Sequence, residues 1–345
     1  MSTGPSSADR CSQCCMRRCC CGPIITPIHV AYFPDPVKME ALEIGYPSPA
    51  VLALLHDAEI SYRQIGLEEL LGGCLMDEGF TALCVPGGFA PNYLSRLGSL
   101  GGMRIREFID AGGGYIGLCA GAFLGSSAGL SLIEVDVDDI HRWARGSGPC
   151  QVIFTDAGSL VLGALGPSHG PVTVRYRNGP LMRPRSCDVL TLATFATEFR
   201  ARHDSLAEGT QLNGTPAICV GRAVSAGCAA CGGVVALVSP HLEDGEDARS
   251  LTPLANLIRF CSRGSLYQVW LLGSGGNAPG SADGARDGIV AETWGNGELQ
   301  SGRRAHDELH ASAEHSRAIQ AAADVQIRWA EPEVARGGGA QTEVS

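Results

Sequence analysis

Apolar residues along the chain gather in short runs, and stretches with helical spacing separate these runs. The stretch 103–111 has its apolar residues on one helical face, as expected for a helix that packs on a sheet. Strands and helices that alternate in this way are typical of a parallel sheet covered by helices on both faces. We therefore predict an α/β fold with a three-layer, flavodoxin-like architecture. Its first predicted strands are 28–33, 60–66, 81–88 and 114–118.

The pattern changes between residues 130 and 216, where apolar runs are shorter and turns are more frequent. This part is predicted to add an antiparallel extension to the sheet. A fully buried strand is predicted again in 233–243, and a helix at 251–262 closes the domain. The predicted strands of the extension are "CQVIF", "PVTVRY" and "DVLTLATF". The apolar residues at helical spacing in the closing helix are Leu251, Leu254, Leu257, Ile258 and Cys261.

Composition divides the chain into three parts. Residues 1–22 are predicted to be a disordered, Cys-rich leader. Residues 265–345 are dominated by Gly, Ala, Ser and acidic side chains, and they cannot bury enough apolar surface to order themselves. This tail is predicted to be mostly disordered, and the folded domain is predicted to span residues 23–264.

The stretch "YIGLCAGAFLG" has the form strand, Gly117-x-Cys119-x-Gly121, helix. This is the nucleophile-elbow pattern with cysteine in place of serine, and glycines avoid the Cβ clashes of its sharp turn. Cys119 would lie at the carboxyl end of a central strand, where open α/β sheets bind ligands. The same position is a helix N-terminus, which favours the thiolate. The backbone N–H of Ala120 would be available to stabilise an oxyanion.

A nucleophilic thiol needs a base and a group that orients this base. In "SPHLE", His241 and Glu243 follow a buried strand, and side chains at i and i+2 of an extended chain point to the same side. Glu243 is therefore predicted to orient the imidazole of His241. Gly87 and Gly88 end another strand, and their N–H groups are predicted to face the Cys119 site.

Each of these residues also has a purely structural interpretation. Cys119 would then be a buried thiol that packs as a small hydrophobe, and His241 with Glu243 would be a polar pair at a strand end. The cluster of six cysteines in 11–21 offers metal binding or palmitoylation as alternatives to an incidental leader, and we favour the leader. We predict no metal site and no cofactor.

The net charge of the 345-residue chain is −10, which argues against a non-specific nucleic-acid surface. The most apolar long window, 223–240, is rich in Ala, Gly and Ser, and it is too weakly hydrophobic to predict a membrane span. Residues 1–30 lack a basic start followed by an apolar run, so no secretory signal is predicted. We expect a cytoplasmic protein with reduced thiols.

Four segments of the chain resemble the class I glutamine amidotransferase-like superfamily, in particular the N-terminal domain of eukaryotic biotin–protein ligases. These segments are "VPGGFAPNYL", "IREFIDAGGGYIGLCAGAFLGSS", "VRYRNGPLM" and "VALVSPHLE", and the resemblance runs over about residues 28–262. It implies a glutamine amidotransferase-like fold in which a cysteine attacks a side-chain amide, a His-x-Glu pair activates it, and a synthase takes the ammonia. The residues implied are Cys119, His241 and Glu243, with backbone donors at Gly88 and Ala120.

Two features depart from the family pattern. Residues 263–345 are too short and too low in complexity for a ligase catalytic domain, and no synthase domain is fused. Any ammonia would therefore need an acceptor on a partner synthase or ligase. The stretch 221–233 is an expansion where relatives have a short turn into the last strand, and it bears on the position of His241.

We therefore predict acyl transfer or amide hydrolysis by a cysteine nucleophile on a small amide-bearing metabolite. The alternative is a catalytically silent module that binds a ligand, or regulates a biotin-ligase-type or other metabolic enzyme, through the same cleft. A third hypothesis is a cysteine hydrolase of the peptidase and deglycase type. Those proteins usually place His directly after the nucleophile, where this chain has Ala120.

Overall fold

The structure is a computed structural model, and it describes residues 27–40, 49–138, 146–162, 170–197, 212–223, 232–245 and 250–263. The strands of these residues are β1 (His29–Tyr32), β2 (Ser61–Gln64), β3 (Ala82–Val85), β4 (Gly114–Leu118), β5 (Val135–Val137), β6 (Ser147–Phe154), β7 (Val172–Arg177), β8 (Met182–Pro184), β9 (Leu190–Phe195), β10 (Pro216–Arg222) and β11 (Val234–Val238). The helices are α1 (Pro36–Glu40), α2 (Pro49–Asp57), α3 (Leu67–Gly72), α4 (Cys74–Asp77), α5 (Ala90–Asp110), α6 (Ala120–Gly125), α7 (Asp156–Leu162) and α8 (Leu251–Arg263).

Within the described residues, nine strands form one sheet in the order β2-β1-β3-β4-β11-β10-β9-β6-β7. The five strands from β2 to β11 are parallel, and each of the remaining neighbours is antiparallel. In the register, β4 lies level with both of its neighbours: Gly117 pairs with Val85, and Leu118 pairs with Val238. The carboxyl ends of β3, β4 and β11 therefore meet at one edge of the sheet.

Alternate residues of the parallel strands point to opposite faces of the sheet. Helices cover both of these faces, so that a core lies on each side. In β1, Val30 and Tyr32 pack into the core that includes α2 and α8. Ala31 and the following Phe33 pack into the other core, which includes residues of α3, α4, α5 and α6. Every residue of β3, β4 and β11 is buried, as a strand covered on both sides requires. The predicted α/β fold class is confirmed by this arrangement.

The antiparallel half curls back towards the parallel half. β7 is last in the order of the sheet, yet Arg175 of β7 forms a bridge with His241, which follows β11. The His241 N–H donates to the Arg175 carbonyl oxygen at 2.7 Å, and the Arg175 N–H donates in return at 3.4 Å. β7 therefore lies over the carboxyl end of β11.

Several predicted elements have different bounds in the structure. The helix predicted at 103–111 begins at Ala90, and it continues through a kink at Gly98, where φ is 55°. The glycines around this kink hide the helical spacing in the sequence. β10 was not predicted, and it lies within the central, antiparallel part of the sheet. Of the apolar residues at helical spacing in α8, Leu251 is 38% exposed, and the others, Leu254, Leu257, Ile258 and Cys261, are buried.

Some predictions lie outside the described residues. The leader 1–22, its cysteine cluster at 11–21, the tail 265–345 and most of the expansion 221–233 belong to this group. The domain boundaries at residues 22 and 264 therefore stay predictions.

Candidate active site

Cys119 follows β4 directly and adopts the conformation of an elbow. Its φ of 50° and ψ of −101° lie outside the regions that a residue with a side chain normally occupies. A backbone hydrogen bond of 2.8 Å from the Cys119 N–H to the Val238 carbonyl oxygen fixes the turn against β11. The strained backbone directs the side chain away from the strand, as the Gly-x-Cys-x-Gly spacing predicts.

The two elbow glycines allow backbones to approach each other closely. A Cβ on Gly117 would overlap the carbonyl oxygen of Gly121, and a Cβ on Gly121 would overlap that of Val85. The Tyr115 hydroxyl donates a hydrogen bond of 2.7 Å to the same Gly121 oxygen from within the core. Strand β4, helix α6 and strand β3 are therefore packed backbone to backbone around Cys119.

His241 and Glu243 form a buried pair. Nδ1 of His241 lies 2.7 Å from Oε1 of Glu243, and the two residues are 8% and 7% exposed. The other carboxylate oxygen, Oε2, is buried without a hydrogen-bond partner among the described residues. The pairing with the imidazole therefore compensates for the buried charge of Glu243.

The imidazole of His241 holds its proton strongly. Burial disfavours its charged form, but the Glu243 carboxylate and the interaction with the Cys119 side chain outweigh this cost. Together they raise the pKa of His241 from 6.5 to about 10. Because Nδ1 faces Glu243, Nε2 is the ring nitrogen left for Cys119.

The Cys119 sulfur is nearly enclosed by its neighbours. The residue is 7% exposed, and its thiol donates a hydrogen bond of 3.3 Å to the carbonyl oxygen of Arg177 at the end of β7. The Arg177 side chain forms an exposed ion pair with Asp244. On another side, a Cβ on Gly87 would lie 2.7 Å from Cε1 of His241 and 3.7 Å from Cβ of Cys119. The glycine turn after β3 therefore packs directly on the histidine and the cysteine.

The structure brings together all the side chains that the sequence predicted for the site. Cys119, His241 and Glu243 lie side by side, although most of the expansion before β11 is outside the described residues. The two predicted backbone donors stay predictions: Gly88 follows Gly87 in the glycine turn, and Ala120 begins α6 directly after Cys119.

Sequence reasoning missed two residues of this region. Arg177 supplies a carbonyl oxygen to the thiol, and Asp35 accepts the backbone N–H of Phe89 next to the glycine turn. A backbone carbonyl leaves no residue-specific signal in the sequence. Asp35 does have a signal in the sequence, because an aspartate directly before a proline is a preferred start for a helix.

Within the part of the chain that the structure describes, no group of three or more His, Cys, Asp or Glu side chains is arranged to hold a metal ion. None of the described helices has both the length and the apolar character of a membrane span.

Fold and site geometry together define an α/β domain with a cysteine elbow and a neighbouring His–Glu pair. Residues 76–139, which include the glycine turn and the elbow, match the family described as "Biotin-protein ligase, N terminal". This match confirms the predicted resemblance. No curated protein matches the sequence.

Several solved structures have a similar chain path at low sequence identity. A protein from Thermoplasma acidophilum that is described as part of a GMP synthase is 13% identical, with 71% of this chain and 98% of that chain covered and a TM-score of 0.42. A ThuA-like protein from Bacteroides uniformis is 11% identical over 68% and 91% of the two chains, with a TM-score of 0.43. The CTPS glutaminase domain of Trypanosoma brucei, with bound acivicin, is 14% identical. The match covers 69% of this chain and 94% of that chain, with a TM-score of 0.40.

Proposed function

We propose that the protein hydrolyses or transfers the acyl group of a small molecule that carries an amide, with Cys119 as the nucleophile. The observation that supports this function is the elbow thiol beside a buried imidazole that a carboxylate orients. Nucleophile, base and orienting group in contact are the arrangement that activates a weak nucleophile.

In the first step, Cys119 reacts as the thiolate paired with the protonated imidazole of His241. Its sulfur attacks the amide carbonyl carbon, and the π electrons of the carbonyl move to its oxygen. Backbone N–H groups of Gly88 and Ala120 stabilise this oxyanion. The protonated imidazole of His241 then gives its proton to the leaving nitrogen, the C–N bond breaks, and a thioester remains on Cys119. For a primary amide, the leaving group is ammonia.

In the second step, water attacks the thioester while neutral His241 accepts a proton from it. The C–S bond breaks, the carboxylic acid leaves, and Cys119 and His241 return to their starting states. Glu243 keeps the imidazole oriented throughout the cycle and stabilises its positive charge in the stages in which it is protonated. A partner synthase or ligase would consume the ammonia that the first step releases.

The described residues contain seven cysteines, and none of these forms a disulfide. Six of the seven are buried, and only Cys187 is exposed among them. Cys187 is therefore a built-in reference for the reactivity of an ordinary surface thiol.

Alkylation mapped by mass spectrometry tests the proposed nucleophile. Limiting iodoacetamide at neutral pH is expected to label Cys119 faster than Cys187, although Cys119 is far less exposed. His241→Ala is expected to remove this advantage without changing the labelling of Cys187. Equal or slower labelling of Cys119 in the wild-type chain would contradict the nucleophile.

Turnover is tested by ammonia release from glutamine and from a series of small primary amides, with Cys119→Ala as the matched control. Release by the wild-type chain that the control lacks supports amide hydrolysis. Release that is equal in both chains contradicts it.

A second candidate function is a catalytically silent module that binds a ligand or regulates a partner enzyme. The observation that favours it is the enclosed sulfur, whose thiol is already bonded to the Arg177 carbonyl oxygen. Thermal shift measurements with amides and biotin-like compounds distinguish the two functions. Stabilisation by a compound that the protein does not turn over would support the binding module.

A further inference from the structure

Asp35 is a fully buried carboxylate beside the glycine turn, and the proposed mechanism does not use it. It follows β1 at the same edge of the sheet as Cys119 and is 0% exposed. A charged side chain at this depth is costly unless hydrogen bonds compensate for it. Its partners therefore show what it does.

Every hydrogen-bond partner of the Asp35 carboxylate is a donor. Oδ1 accepts from the Val37 N–H at 3.1 Å, the Lys38 N–H at 3.2 Å and the Asn92 side-chain amide at 3.0 Å. Oδ2 accepts from the Phe89 N–H at 2.9 Å and from the same Asn92 amide at 3.1 Å. The first two bonds cap helix α1, and the others tie this helix to the start of α5.

The bond to Phe89 fixes one end of the turn that carries Gly87 and Gly88. At the other end, the Tyr93 hydroxyl donates to the Pro86 carbonyl oxygen at 3.3 Å. The turn also rests on the carboxylate itself, since a Cβ on Gly88 would lie 2.9 Å from Oδ2 of Asp35 and 3.2 Å from the Tyr93 ring.

The opposite side of the same turn faces the reacting groups. A Cβ on Gly87 would lie 2.7 Å from the His241 ring and 3.7 Å from Cβ of Cys119. One short turn is thus held between Asp35 on one side and the Cys119 site on the other. A shift of this turn would move the Gly88 N–H relative to an acyl group on Cys119.

We propose that Asp35 is a positioning residue, which holds the Pro86–Phe89 turn so that the Gly88 N–H faces the oxygen of an acyl group on Cys119. This inference rests on the proposed acyl chemistry of Cys119. Asp35 does not touch the acyl group, because it acts through the Phe89 N–H. Both of its carboxylate oxygens matter, because all five contacts need an acceptor.

Asp35→Asn in the full-length chain tests this role with little change in side-chain size. One carboxylate oxygen becomes an NH₂ group, which then meets an N–H donor from Phe89, Asn92, Val37 or Lys38. Two rates are compared in each variant: acylation of Cys119 by p-nitrophenyl acetate, which passes through an oxyanion, and alkylation by iodoacetamide, which does not. The signal of Cys119→Ala is subtracted to remove the contribution of the other thiols.

In Asp35→Asn, acylation of Cys119 is expected to fall by about 100-fold, the usual effect of losing one oxyanion donor, while alkylation stays at the wild-type rate. Asn92→Ala keeps the carboxylate but removes two of its five contacts, so a smaller fall in acylation alone is expected. This second variant decides the question if Asp35→Asn does not fold. Thr155→Ala is the matched control, because it removes a side-chain oxygen that accepts a hydrogen bond from the backbone N–H of Gly158 in another part of the sheet. Both rates are expected to remain unchanged in this variant.

Unchanged acylation in Asp35→Asn, or an equal fall in acylation and alkylation, would overturn the positioning role. Failure of the proposed amide chemistry gives a different result. In that case the wild-type chain releases no ammonia from amides, while the effect of Asp35→Asn on stoichiometric acylation is still measured. A wild-type Cys119 that is alkylated but never acylated would overturn both proposals.

Discussion

Nδ1 of His241 lies 2.7 Å from Oε1 of Glu243, and both side chains are buried beside the Cys119 sulfur. The carboxylate is the main reason why the imidazole stays charged despite its burial. The site therefore combines a buried negative charge, a buried positive charge and a thiol, and its protonation is coupled to the folding of the whole domain.

The coupling predicts how stability depends on pH. The pKa of His241 is raised from 6.5 in the unfolded chain to about 10 in the folded protein. Its contribution to stability is therefore fully present below pH 6.5 and is lost as the pH rises through 10. Between pH 7 and 8.5, folded His241 holds a proton that the unfolded chain has largely released. The free energy of unfolding is therefore expected to fall by up to about 2 kcal/mol over this range.

Urea unfolding at several pH values in this range measures the effect, and Glu243→Gln is the matched control. Glutamine keeps a hydrogen-bond acceptor but removes the negative charge, so the pKa of His241 falls and the dependence on pH flattens. The measurement stays below about pH 8.5 because buried thiols such as Cys150, whose pKa burial raises to about 12, add a loss of the same sign at higher pH. An equally steep dependence in Glu243→Gln would contradict the role of the pair.

Gly121→Ala is expected to destabilise the elbow severely. Its Cβ would overlap the Val85 carbonyl oxygen, and neither backbone can shift without moving β3 or α6. We expect a loss of about 3 kcal/mol or more, or failure to fold. Gly72→Ala is the control, because nothing lies within 4 Å of that Cβ, and it is expected to be neutral or slightly stabilising in thermal unfolding.

Gly87→Ala is expected to impair reactivity more than stability. Its Cβ would lie 2.7 Å from Cε1 of His241, and the imidazole can move by a side-chain rotation that the elbow backbone does not allow. Alkylation of Cys119 should therefore slow markedly, while Cys187 reacts as in the wild type. A variant whose thermal unfolding and Cys119 alkylation both match the wild type would show that the turn does not hold the imidazole in place.

Asp244→Asn is expected to loosen the cover that Arg177 forms over the sulfur. The ion pair of Arg177 and Asp244 is exposed, so its loss should change the free energy of unfolding by less than about 1 kcal/mol. Bulky maleimides need more room than iodoacetamide, and their reaction with Cys119 should accelerate while iodoacetamide labelling changes little. If the two reagents respond alike, the Arg177 segment does not limit access to Cys119.

Much of the parallel half of the fold could be predicted from local pattern. β3, β4 and β11 are apolar at every position because two helical layers cover them, and such runs are visible in the sequence. β10 was missed because its partners, β9 and β11, are distant in sequence and the flanking glycines and alanines resemble a loop. The first part of α5 was missed because glycines interrupt its spacing at the kink.

In the candidate site, too, some features follow from local pattern and others from contacts between distant segments. Glycines on both sides of Cys119 are a local requirement of the elbow, and the spacing of His241 and Glu243 is a local property of an extended chain. Arg177 and Asp35 could not be found in this way. One acts through a backbone carbonyl that any residue has, and the other through bonds to a turn more than fifty positions away.

By itself, the sequence determined the strand–elbow–helix unit, the His–Glu pair and the alternation that makes a parallel sheet. These features depend on backbone sterics and on neighbours a few residues apart. Only the tertiary structure decided that β7 returns over β11 and that the Cys119 thiol donates a hydrogen bond to the Arg177 carbonyl oxygen. It also decided that Asp35 accepts a hydrogen bond from Phe89 beside the glycine turn. The reason is that these contacts join segments through the register and curl of the whole sheet, which no local pattern specifies.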